Sequence, residues 1–258
     1  MTFHADGKIA VVTGASSGIG SATAKALASA GFTLALGARR EERLQAVADE
    51  ITNLTGQRPY TANLDVTSLA SSTQFVQGVI DQFGKVNVLV NNAGLASGTS
   101  YIAQAKDETD WQVMIDTNVS GLLRMTRLLL PHVISSGEGH VINLGSIAGH
   151  EAYAGGSVYC GTKFAVAAIT QALRQELLGQ PVRVTSVDPG MVETEFSIVR
   201  YHGDESQAAQ VYDRMTPLRA DDVADAILYA VTRPLHVNID EIIIKPTDQA
   251  GAGKVARH

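Results

Sequence analysis

Cysteine occurs once in the 258 residues, at Cys160, so no disulfide can close within the chain and a disulfide-stapled secreted scaffold is excluded. A positively charged segment leading into an apolar stretch is missing from residues 1–30, and together with the single thiol this favours a reducing, cytoplasmic setting. Basic excess is missing too: 20 Lys and Arg against 26 Asp and Glu give a net charge of −6, which supplies no global field for a nucleic-acid backbone. The longest apolar runs, near 9–12 and 242–244, fall far short of the roughly 20 residues that cross a bilayer, so no membrane partner is expected. The seven histidines show no metal-ligand spacing, and no metal is expected. What remains is a globular composition, 45% hydrophobic and 18% charged, long enough for a sizeable core.

Short runs rich in Val, Ile and Leu alternate with longer helical patterns. The runs predict strands near 9–13, 33–37, 59–63, 86–91, 140–144, 182–188 and 241–244. The patterns between them predict helices near 20–29, 40–54, 70–83, 109–135, 158–178 and 220–231. Such alternation is the signature of βαβ units, and right-handed crossovers distribute the helices over both faces of a parallel sheet. The expected fold class is α/β: a Rossmann-type, doubly wound, seven-stranded parallel sheet. With no linker, repeat or composition break, 1–258 reads as a single dinucleotide-binding domain. Only the stretch at about 191–217 breaks the rhythm, and a long irregular segment of this kind predicts a substrate lid, with a plain surface excursion as the competing reading.

Directly after the first strand stands TGASSGIG (13–20), opening a helix. Gly14, Gly18 and Gly20 would let backbone approach a pyrophosphate, with Ser16, Ser17 and Ile19 between them, at a helix end whose free N–H groups favour anions. At the end of the second strand, where a carboxylate would select NAD, stand Arg39 and Arg40. Two guanidiniums can fork onto a 2′-phosphate, which predicts NADP; the competing reading is a solvated basic cap. Tyr159 and Lys163 lie four apart on one expected helix face, where an ammonium would lower the phenol toward the range of a general acid or base. Ser146 follows the fifth strand, positioned to orient a carbonyl, and Asn118 offers an amide that can hold a water or a backbone group.

TGASSGIG, LDV (64–66), NNAG (91–94), Asn118, Ser146, Tyr159 with Lys163, and DPG (188–190) together resemble the short-chain dehydrogenase/reductase family over nearly the whole chain. The resemblance implies Tyr159 as acid/base, Lys163 as its support and a ribose ligand, Ser146 as carbonyl anchor and Asn118 in a proton relay. It implies Asp65 and Val66 at the adenine, Asn92, Ala93 and Gly94 beside the cofactor, and Pro189, Gly190, Val192 and Thr194 at the nicotinamide. It also implies pairing of long helices into a homodimer or homotetramer. One departure stands out: many members carry a serine before the catalytic one, where this chain has Gly145.

After the catalytic helix the sequence is similar to the NADP-dependent serine and 3-hydroxy acid dehydrogenase branch, which implies a small hydroxy acid and its carbonyl as substrates. Reduction of sulfoacetaldehyde, a biosynthetic aldehyde or another ketone is the alternative, and a non-catalytic NADP-binding sensor is the alternative of another class. An acidic substrate needs a cation: Arg200 in the lid is the candidate, with His150, Glu151 and Tyr153 as the opposite wall beside Ser146.

Overall fold

The computed structural model describes residues 5–258. In chain order the main elements are β1 (Ile9–Thr13), α1 (Gly18–Ser29), β2 (Thr33–Ala38), α2 (Glu41–Thr55), β3 (Tyr60–Asn63), α3 (Leu69–Phe83) and β4 (Val88–Asn91). Then come α4 (Thr109–Ile115), α5 (Leu122–Ser135), β5 (Gly139–Leu144), α6 (Ser157–Glu176) and β6 (Val182–Pro189). The chain continues through α7 (Phe196–Arg200), α8 (Glu205–Gln210), α9 (Ala220–Val231), β7 (Glu241–Ile244), β8 (Gln249–Gly251) and β9 (Lys254–Val255). Seven strands pair in the order β3-β2-β1-β4-β5-β6-β7, every pair parallel.

Each central strand buries both faces, so its side chains divide by a period of two. Ala10, Val12, Val88 and Val90 point to one layer with Leu27, Leu44, Ile51 and Ile227 of α1, α2 and α9. Val11, Leu89 and Val141 point to the other with Phe75, Met125, Leu129 and Leu173 of α3, α5 and α6. Full burial of one such Leu or Phe contributes about 1.5–3 kcal/mol. The strand order reverses between β1 and β4, and such a switch point opens a crevice at the C-terminal strand ends.

Two features depart from the sequence expectation, and a third, the tail, is one on which the sequence is silent. The helix expected over 109–135 is interrupted: Asp116–Gly121 form a π-helical turn between α4 and α5. The 191–217 segment holds two short helices, α7 and α8, and its two ends are tied by Glu193 N–H to Leu218 O at 2.8 Å and Leu218 N–H to Met191 O at 2.9 Å. The tail folds into the β8–β9 hairpin, after which Arg257 donates to the carbonyls of Asp213 and Val211. No helix among the described residues is long and apolar enough to cross a membrane.

Candidate active site

At the switch point β1 runs into a turn shaped by close approach. Gly14 has φ +67°, and a Cβ there would lie 2.9 Å from Ala93 Cα. At Gly20 a Cβ would fall 2.4 Å from both Asn92 Nδ2 and Gly14 O, so α1 can start this near the turn only without a side chain. Ser17, the N-cap of α1, makes no side-chain cap, which leaves the first-turn N–H groups open to an anion. The Thr13 hydroxyl, which sequence reasoning missed, accepts from Asn92 N and Ala93 N at 3.1 and 3.0 Å. Asn92 Nδ2 in turn donates to Thr13 O at 2.8 Å and locks β4 to the turn.

The two arginines after β2 separate in role. Arg39 makes no side-chain hydrogen bond or ion pair among the described residues, and its charge reaches Asp65. Burial opposes ionisation of Asp65, but hydrogen bonds from Thr67 and the charges of Arg39 and Arg124 hold its carboxyl below the ordinary range. Arg40 is engaged, donating to Glu195 Oε2 at 2.8 Å and to Ser17 Oγ at 2.5 Å. Arg43 also grips Glu195, and hydrogen bonds from Arg40 and Arg43 hold that carboxyl below its usual value. Neither Glu195 nor Arg43 was picked out by the motif pattern; an acid in the lid stretch and a third arginine after β2 were the only signals.

A cleft of about 550 Å³ runs from this end along the strand termini. Every residue expected to hold the dinucleotide lines it, from Gly14 through Arg39, Asp65 and Gly94 to Thr194, as do Ser146, Tyr153 and Arg200. Tyr159, half-buried, and Lys163, buried, share one face of α6, with Lys163 Nζ 5.9 Å from the phenol ring centre. Lys163 donates to Leu144 O at 2.8 Å. Burial brings the ammonium down to about 8, while Asp188 pulls the other way. Burial also pushes the Tyr159 phenol well above its ordinary value, against the lowering expected from Lys163, and the hydrogen bond with Ser146 opposes that rise.

Asn118 sits in the π turn and behind the cleft wall rather than in it. Its amide accepts from Leu95 N at 2.9 Å and donates to Leu95 O at 2.8 Å and Thr162 Oγ1 at 3.1 Å. It therefore clamps the Gly94–Leu95 backbone to α6, the backbone-holding option expected of its amide, and π turns recur at functional sites for such re-aiming. His150 is a correction. Three residues of 3-10 turn, Ile147–Gly149, swing it away from the cleft, and its Nε2 lies 2.8 Å from Asp188 Oδ2. Glu151 likewise turns out, accepting from Ala252 N.

At the far end Arg200 Nη1 donates to Tyr153 Oη at 3.0 Å and its guanidinium stands 5.5 Å from that ring's centre. Arg200 Nε is buried with no hydrogen-bond partner among the described residues, while the guanidinium as a whole lines the cleft. Phe196 packs edge-on against Tyr159, with ring centres 5.6 Å apart.

An open helix N-terminus, a turn with no room for side chains and an unpaired Arg39 fit a phosphorylated dinucleotide, and the titratable groups gather where its far end would lie. Known proteins agree with this arrangement. The chain is 44% identical over 253 residues to the NADP-dependent 3-hydroxy acid dehydrogenase of Schizosaccharomyces pombe, across 98% of this chain and 97% of the relative. It is 46% identical over 247 residues to sulfoacetaldehyde reductase 2 of Chromohalobacter salexigens, across 94% and 95%. Among solved structures, the closed form of serine dehydrogenase complexed with NADP+ superposes with a TM-score of 0.90 at 39% identity, across 97% of this chain and 99% of that one. A model of the short chain dehydrogenase family matches residues 8–204, and with the sheet order, the cleft and these relatives in accord, the chain belongs to that family.

Proposed function

We propose that this chain is an NADP(H)-linked oxidoreductase of small 3-hydroxy acids and their carbonyl partners. The cofactor, when bound, exchanges a hydride through its nicotinamide. Tyr159 gives a proton to the carbonyl oxygen in reduction and takes it back in oxidation. Ser146, hydrogen-bonded to the phenol, steers the same oxygen, and Lys163 holds the ribose with its ammonium. Phe196 and the rest of the 191–217 segment, acting as a lid, keep water from the reacting atoms.

The observation that carries the acid assignment is Arg200: a guanidinium braced on Tyr153 and lining the same cleft as Tyr159. A sulfonate would meet the same fork, and the similarity to a sulfoacetaldehyde reductase favours that second reading over a neutral carbonyl substrate. The exposed apolar side chains Ile115, Leu123 and Phe164 on α4, α5 and α6 support self-association into a dimer or tetramer. The buried, solitary Cys160 fits a cytoplasmic setting.

An NADP-linked screen of L-serine, 3-hydroxypropionate, 3-hydroxyisobutyrate, isethionate and a neutral secondary alcohol tests the reading. Tyr159→Phe should abolish most turnover with NADPH binding retained, and Arg200→Ala should raise KM for the acids about 10- to 100-fold while sparing the neutral alcohol. Preference for the neutral alcohol, or equal effects of Arg200→Ala on both classes, overturns the acid assignment.

A further inference from the structure

We propose that Asp188 is a positioning residue for the catalytic group: its buried carboxylate, paired with the imidazole of the exposed His150, lies beneath residues 144–146, and residue 145 is glycine because that carboxylate fills its side-chain space. The inference rests on Tyr159, Lys163 and Ser146 being the reacting constellation.

Residues 144–146 run alongside 187–189, with Leu144 paired to Val187, Gly145 N–H donating to Val187 O at 2.9 Å, and Ser146 Oγ at 3.5 Å from Pro189 O. Asp188 therefore faces Gly145. A Cβ at Gly145 would lie 1.8 Å from Asp188 Oδ1 and 3.0 Å from Ser186 Oγ, so the serine common at this place in the family fits only if this carboxylate leaves its present position. On either side of Gly145 stand the two groups that matter: the Leu144 carbonyl that receives Lys163 Nζ, and Ser146 itself. A carboxylate wedged under this tripeptide sets the height of both.

The wedge is well held. Asp188 is 1% exposed; Oδ1 accepts from Ser186 Oγ at 2.6 Å and Oδ2 faces His150 Nε2 at 2.8 Å. The charged neighbours are few. From β7, Glu241 lies 3.5 Å from His150 Nε2, and burial together with Asp188 pushes its carboxyl up. Arg174 acts on Glu241 and pairs with Asp240, and from α6 comes Lys163, on which Asp188 is the charge opposing the effect of burial. Asp188 thus does two things at once: it shapes the floor and keeps the buried ammonium protonated.

Five variants test this, with Tyr159→Phe as the control for the underlying reading. Asp188→Asn keeps the shape and removes the charge; the alkaline limb of kcat/KM should move down by about one pH unit while the fold, read by thermal melting with NADPH, persists. His150→Ala should lower kcat with little change in the KM for NADPH, and His150→Gln, whose amide can stand in for the Nε2 donor, should restore it. Gly145→Ser should be destabilised and poorly active, and Asp188→Ala added to it should recover stability. If Asp188→Asn does not fold, the judgement passes to His150→Ala against His150→Gln and to the double variant. An unshifted pH profile in a folded Asp188→Asn protein, or a Gly145→Ser protein that Asp188→Ala does not rescue, overturns the proposal. A Tyr159→Phe protein with full turnover overturns the catalytic reading instead.

Discussion

Arg39 and Arg40 offer the sharpest quantitative test, because they are adjacent in sequence and unequal in structure. Arg39 is exposed and has no side-chain hydrogen-bond or ion-pair partner among the described residues, so its guanidinium can meet a 2′-phosphate without giving up such a bond. Charge-assisted hydrogen bonds of this kind contribute about 1.5–3 kcal/mol, or about 10- to 150-fold in affinity. Arg40 must first leave Glu195, to which it holds at 2.8 Å in a pair more than two-fifths exposed on both sides. Solvent screening limits such a pair to about 0–1 kcal/mol, so the net contribution of Arg40 falls to about 1–2 kcal/mol, or about 5- to 30-fold. Fluorescence titration with NADPH and NADH should therefore show Arg39→Ala losing more NADPH affinity than Arg40→Ala, with NADH affinity nearly unchanged in both. Glu195→Gln, which releases Arg40 and Arg43, should tighten NADPH by up to about fivefold. A loss below about threefold in Arg39→Ala, or equal losses for both cofactors, refutes the division of roles.

Two further outcomes follow from the fold. Gly20→Ala places a Cβ against Asn92 Nδ2 and the Gly14 carbonyl, displacing hydrogen bonds at 2.8 and 3.2 Å; a cost of about 2–4 kcal/mol and a fall of about 5–15 °C in Tm are expected, and a change within 1–2 °C contradicts the packing argument. His140 is buried in β5 against Thr185, and burial, with Arg183 nearby, holds its imidazole well below the ordinary value. Unfolded chains take up that proton below about pH 6.5 and the folded chain does not, so stability falls as pH drops, by up to about 1.4 kcal/mol per unit. Urea midpoints between about pH 5 and 7 should fall less steeply in His140→Gln; parallel slopes would remove His140 from the account.

Local signals in the sequence reach as far as the seven strands and the cleft lining. Apolar runs give each strand to within a residue or two, most clearly for the central strands, whose burial on both faces leaves no polar register to confuse them. Most of the cleft-lining residues expected from the sequence are legible because they follow the C-terminal end of a strand, a position that strand boundaries define. Partnerships across long separations are not legible in this way. Glu195 meets Arg40 across 155 positions, and nothing near Arg40 announces it. Counting forward from Ser146 puts His150 on the cleft wall, but a 3-10 turn of three residues per revolution brings it against Asp188 of β6 instead. The interruption after α4 was invisible because apolar spacing continues through it; a buried asparagine at the break, Asn118, was the one hint.

That interruption behaves as a phase shifter between two helices with different obligations. Met114 of α4 must face Leu95 and Ala96, while Met125 and Leu129 of α5 must face the sheet. A π turn carries about one residue more than the α turn it replaces, and one residue corresponds to about 100° of rotation. Deleting a single residue from 116–121 would keep the chain helical yet turn one of these faces away from its target, dragging the Asn118 clamp off Leu95. The stretch is thus intolerant of length change even where its side chains, such as the half-buried Ser120, carry no chemistry, and length rather than composition is what homologous chains with the same two contacts would have to preserve there.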